Sequence, residues 1–177
     1  NDNIFRMIEK NASLALALSS LNRKLAESLE GFVETLSLPG FINIDFADIQ
    51  SLLEGKDRLA YLASATSGGA ERAALALEQV TTNPLLDYSG KAAERVLINI
   101  AGGKDLKMQE VAEISRAISQ ESPKAKIIFG ITLSSAFEKK LRITLFSIGV
   151  QKEAGRVVEV QIQKQKNPVL AKKRKKS

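Results

Sequence analysis

The chain has no cysteine, no histidine and no tryptophan. Without thiols there can be no disulfide, which agrees with a reducing compartment. With imidazole also missing, Ser-His and Cys-His nucleophiles and nearly every common zinc site are excluded. Hydrolytic chemistry here must rest on carboxylates. No apolar run approaches the roughly 20 residues of a membrane span and no signal-peptide pattern is present, so the sequence reads as cytoplasmic. Acid is missing from residues 164–177, where Lys164, Lys166, Lys172, Lys173, Arg174, Lys175 and Lys176 lie. The other 19 basic residues face 20 acidic ones, so the net charge of +6 belongs to the tail and the body is close to neutral. Such a tail reads as a disordered solubilising end. Its rival readings are anionic lipid, at about 1 kcal/mol per basic residue, nucleic acid, or an acidic protein face. The lack of interleaved aromatics argues against nucleic acid.

What is present fits one domain with a real core and an attached helix: 177 residues, 44% hydrophobic and 26% charged. Residue 1 is Asn, and patterned sequence follows at once, as in a fragment of a longer protein. Leu14, Leu18, Leu21, Leu25, Leu29, Phe32, Val33 and Leu36 recur at steps of three and four, one face of an amphipathic helix about 35 Å long. Pro39-Gly40 stops it. In the following run, FINIDFADIQ over residues 41–50, Asp45 is a good N-cap for a short helix beginning at Phe46, and Asp48 faces the positive end of its dipole. Capping leaves Asn43 without a role. The other reading of the two carboxylates, three residues apart on one helical turn, is that they point into one site and polarise a water.

Ser67-Gly68-Gly69 reads as a flexible break before a helix from about Ala70 to Val80, ended by Asn83-Pro84. Arg95–Ile100 reads as a central strand, Gly102-Gly103 as a turn, and Leu106–Gln120 as a helix. Lys126–Ile131 and Leu141–Val150 read as two further strands. Arg156–Gln163 alternates apolar and polar residues like an edge strand, hairpin-paired through Glu153-Ala154-Gly155. The expected fold is α/β: a long N-terminal core helix followed by a small mixed-sheet domain with flanking helices. No G-x-x-x-x-G-K-[ST] phosphate loop occurs, and Gly102-Gly103-Lys104-Asp105 lacks both its spacing and its hydroxyl.

These runs resemble the FtsZ family of bacterial tubulin-like cell-division GTPases. The resemblance rests on Asn1-Asp2, Asn22, the Pro39–Asp48 run, Gly69, Glu71-Arg72-Ala73, Asn83-Pro84-Leu85-Leu86, Val96–Ile100, Gly103, Asp105-Leu106 and Leu141–Thr144. It implies four parts. Residues 1–38 would be the end of a nucleotide-binding domain and the core helix, 39–50 a catalytic loop, 51–163 a C-terminal α/β domain, and 164–177 a basic disordered tail. It further implies that Asp45 and Asp48, with Asn43 shaping the pocket, reach GTP bound by the next subunit of a head-to-tail filament. Asn1, Asn22 and Leu18 would correspond to guanine contacts, Leu18 standing where the family usually has a base-stacking Phe. GTP/GDP and Mg2+ would be held mostly by an N-terminal domain absent from this sequence, leaving this chain alone inactive. The family's activity places it in the cytoplasm at the division site, with membrane-tethering partners reached through the C-terminal tail. Pro168-Val169-Leu170 before Lys172–Lys176 faintly resembles the family's docking peptide. A non-hydrolysing scaffold or membrane-associated filament protein of the same family is the alternative, motivated by Leu18 and the unusual tail.

Overall fold

The computed structural model describes residues 13–54, 59–82 and 93–149. Helix α1 spans Leu14–Ser37, α2 Phe46–Leu53, strand β1 Ala60–Gly68, helix α3 Arg72–Thr81, β2 Arg95–Gly102, α4 Met108–Glu121, β3 Lys126–Leu133, and β4 Lys140–Ile148 after a short 3-10 turn at Ser135–Phe137. The four strands form one mixed sheet in the order β1-β4-β2-β3. β2 and β3 run parallel, joined by the α4 crossover, and β4 lies antiparallel to both β1 and β2. This is the expected α/β architecture. The matching boundaries fall within two residues of those read from the pattern.

Two apolar clusters lie on opposite faces of the sheet. The larger packs Val96, Ile98, Ile100, Leu141, Ile143 and Leu145 against α3 and α4. The smaller joins Leu97, Ile128, Phe146 and Ile148 to Ile49 and Leu52 of α2. Alternation along β2 and β4 therefore sends consecutive residues to different clusters, as a strand buried on both faces requires.

Across the larger cluster, buried Arg72 at the start of α3 gathers the surrounding chain. Its guanidinium donates to Glu110 Oε1 (2.7 Å) and Oε2 (2.9 Å), Asp105 Oδ2 (2.6 Å), the Asp105 carbonyl (3.1 Å) and the Lys140 carbonyl (3.3 Å). The hydrogen bonds from Arg72 hold both carboxyls below their usual range, against the opposing effect of their own desolvation. Arg72 is pushed upward in turn, chiefly by Glu110, and stays charged.

Two features go beyond the sequence reading, which did not say which side of α1 meets the sheet. First, most of the apolar stripe of α1 points away from the sheet: Leu14, Leu18, Leu25, Leu29, Val33 and Leu36 are exposed, while Phe32 packs its ring on Phe146 of β4 with centroids 5.1 Å apart. Beside Phe32, what lies against β1 and β4 is the small, polar side of the helix, with Ser28 and Thr35 buried. Their hydroxyls donate back to Lys24 O (2.8 Å) and Gly31 O (2.7 Å), so they need no partner on the sheet. A Cβ on Gly31 would lie 2.4 Å from Ser64 Oγ and 2.7 Å from Thr144 Oγ1, so only glycine permits this approach. Second, Ala60–Gly68, whose end was expected to be a break, is a nine-residue strand pairing with β4 along its whole length. The break shrinks to Gly69, at φ +91°. The expected edge strand Arg156–Gln163 lies outside the described residues, as do Asn83-Pro84 and the basic tail.

Candidate active-site loop

The loop after α1 is tied to the free edge of β3. α1 ends where the Leu38 N–H donates to Glu34 O (2.9 Å) and Pro39 cannot continue the ladder. The Phe41 and Ile42 N–H groups then donate to Ile131 O (2.7 and 3.1 Å), and the Ile131 N–H returns to Ile42 O (3.0 Å). This antiparallel bridge lays the chain so close to β3 that a Cβ on Gly40 would sit 2.6 Å from the Ile131 carbonyl oxygen. Ile44 closes over Gly130, where an added Cβ would meet its Cδ1 at 2.7 Å.

Asn43 now has a role. Its Oδ1 accepts from the Gly40 N–H at 2.6 Å, closing the turn between the end of α1 and the acidic stretch. Only the side-chain oxygen is used, so Asn43→Asp should keep the turn, whereas Asn43→Ala should loosen it by about 1 kcal/mol. A urea-midpoint comparison of the two variants checks this; equal loss in both would mean that the amide donor matters instead.

Asp45 caps α2, accepting from the Asp48 N–H at 2.7 Å, while Asp48 Oδ2 accepts from the Asp45 N–H at 3.4 Å. The two acids form a reciprocal capping box, as their spacing implies. Each spends one oxygen on it. No hydrogen bond from the described residues reaches Asp45 Oδ2 or Asp48 Oδ1. Asp45 is exposed and Asp48 half-buried, with Phe41 (75%) and Phe46 (72%) open to solvent beside them.

Two cavities flank α1 without reaching the acids. One, about 260 Å3, lies behind the loop and is lined by Thr35, Pro39, Asn43, Asn99 and Thr132 among others. The other, about 780 Å3, opens between α1 and β1, with Lys24, Glu27, Ser64, Gln79 and Arg142 in its wall. The acid pair thus stands outside both cavities. Among the described residues no cluster of three or more histidine, cysteine or acidic side chains could hold a metal ion, and no helix is long and apolar enough to cross a membrane.

Of the expected base contacts, Asn1 lies outside the described residues. Leu18 and Asn22 are exposed one turn apart on α1. The helical rise from Asn22 to Ser37 puts roughly 22 Å between Asn22 and the start of the acidic loop. The structure therefore does not bring Leu18 and Asn22 together with Asp45 and Asp48. Leu18 and Asn22 lie in the amino-terminal half of α1, the acids beyond its carboxyl-terminal end.

Residues 59–151 match the family model described as FtsZ family, C-terminal domain. The chain belongs to the FtsZ family. It is 36% identical over 156 residues to the cell division protein FtsZ of Magnetospirillum gryphiswaldense, covering 87% of this chain and 28% of that protein. To FtsZ of Caulobacter vibrioides it is 34% identical over 152 residues, covering 85% of this chain and 30% of the relative. Among solved structures it is similar to the M. jannaschii FtsZ dimer, with a TM-score of 0.70, 30% identity, and coverage of 83% of this chain and 43% of that one. A GTPγS-bound protofilament of CetZ2 from Haloferax volcanii has the same fold, with a TM-score of 0.63 over 85% of this chain and 45% of that one, at 16% identity. The chain spans less than half the length of these FtsZ relatives and structures.

Proposed function

We propose that this chain is the catalytic-loop half of a GTPase that assembles head to tail, and that Asp45 and Asp48 act on GTP held by the adjoining subunit. The observation that carries this reading is the placement of the pair: on the outer surface, outside both cavities, each acid with one oxygen uncommitted. Acids so placed are open to a molecule presented by another surface. Phosphoryl transfer asks for little beyond positioning and electrostatics. The two carboxylates would orient the attacking water, with Asn43 holding the loop that carries them. Mg2+, when bound with the nucleotide, neutralises charge on the phosphates, and both are held mainly outside this chain.

The separation along α1 supports the same arrangement, with Asn1, Leu18 and Asn22 meeting the base of the subunit's own nucleotide while the acids at the far end reach the neighbour's. The exposed leucine stripe supports packing of α1 against the nucleotide-binding part that the longer relatives have room for. On this reading the protein works in the cytoplasm at the division site, and its basic tail meets membrane-tethering partners. Capping alone accounts for one oxygen of each acid, so a non-hydrolysing scaffold is the second reading.

Complementation separates the two readings. A copy with a disabled nucleotide pocket and an intact loop is mixed with a copy lacking both acids but able to bind GTP. Each alone should be silent, and the mixture should turn over GTP, because the loop of the first completes the pocket of the second. A silent mixture that still forms filaments would favour the scaffold.

A further inference from the structure

Helix α2 is held at its far end by a residue from another part of the chain. Arg95, the first residue of β2, donates from Nη1 to Ser51 O (2.6 Å) and Glu54 O (2.8 Å), with Leu52 O at 3.4 Å. These carbonyls belong to the last turn of α2 and its cap, groups that a helix leaves without internal partners at the negative end of its dipole. α2 has no basic residue in its own last turn. Eight residues are too few for a helix to persist on propensity, and only Ile49 and Leu52 of the eight are buried. Between them, the acidic pair at one end and the arginine at the other supply the two charges that the helix calls for.

We propose that Arg95 is a positioning residue for the acid pair, fixing the far end of the rod whose near end carries Asp45 and Asp48. The inference rests on the role proposed above for those acids. Water can take the guanidinium's place at the exposed Glu54 carbonyl and in part at the part-buried Ser51 carbonyl, the weaker contact to Leu52 being 3.4 Å long, so the arginine's share of global stability is small. Water cannot fix direction. Two buried side chains leave a short helix free to rock, and a tilt of about 5° over its length of about 12 Å displaces the acidic end by about 1 Å. A misplacement of that size costs up to ~10²-fold in rate.

The test uses the full-length protein that carries this chain, with Arg95→Met, Arg95→Lys and Asp45→Asn made side by side. Arg95→Met should lower kcat about 10-fold, leave KM for GTP unchanged, and leave the urea midpoint where it was. Arg95→Lys should recover most of the rate, since an ammonium offers three donors to the same carbonyls. Unchanged kcat in Arg95→Met, or a kcat that falls only together with the midpoint, overturns the inference while leaving the role of the acids intact. Wild-type turnover in Asp45→Asn removes that role instead, and the inference with it.

Discussion

Replacing Asp45 or Asp48 by alanine in the polymerising protein is expected to lower GTP turnover by about two to three orders of magnitude while nucleotide stays bound. Alanine alone is an ambiguous probe, because either change also dismantles the capping box and costs α2 about 1 kcal/mol. Asp45→Asn resolves the ambiguity. Asparagine is as good an N-cap as aspartate, so the bond to the Asp48 N–H survives while the charge proposed to face the phosphates is lost. Turnover in Asp45→Asn should therefore fall nearly as far as in Asp45→Ala, with an unchanged urea midpoint. A rate like that of the wild type would mean that the pair does no more than start a helix.

The largest expected effect on stability belongs to Arg72→Met. The substitution leaves Glu110, the less exposed of the two acids, without its cation, and losing charge-assisted hydrogen bonds at such a partly buried site costs about 1.5–3 kcal/mol. Glu110 matters more than Asp105, because its side chain is 14% exposed against 44%, and water can satisfy the latter. The same network makes stability depend on acidity. Both carboxyls sit below their ordinary values when folded, so their contribution is complete above the usual carboxylate range near pH 4 and fades as pH falls through it. The gap in urea midpoint between the wild type and Arg72→Met should therefore be narrower at about pH 3 than at neutral pH, closing further as pH falls through the lowered folded values. Parallel curves would mean that the ion pairs add nothing net.

Much of this arrangement was legible in residue patterns, for reasons particular to each element. The start of α2 could be read because an N-cap and its N3 partner are local, three residues apart. β2 and β4 announced themselves as short β-branched runs because both faces are buried. β1 did not, since Ser64, which meets α1, and Ala63 and Ala65, which turn to the larger cluster on the opposite face, are small and give little strand signal, and their extended form comes from pairing with β4. Periodicity found the stripe on α1 but not which side meets the sheet, because glycine and two self-satisfied hydroxyls carry no hydrophobic signal. Asn43, whose partner is only three residues away, was missed because its bond closes a turn rather than a helix. Arg95 and the partners of Arg72 could not be read at all, because these contacts span more than thirty residues. The proposed reach to a neighbour came from family likeness, since nothing in spacing says that a capping acid also serves a second molecule.

The strand order carries a consequence for synthesis. β4 is the last strand described, yet it is the only link between β1 and the β2–β3 pair. As the chain leaves the ribosome, β1 emerges early and, among the described strands, has none to hydrogen-bond with until β4 follows from Lys140 to Ile148. The sheet therefore cannot zip up progressively from its amino-terminal end. A nascent chain stalled short of that residue would present an orphan strand to other nascent chains, the condition in which holding chaperones matter most.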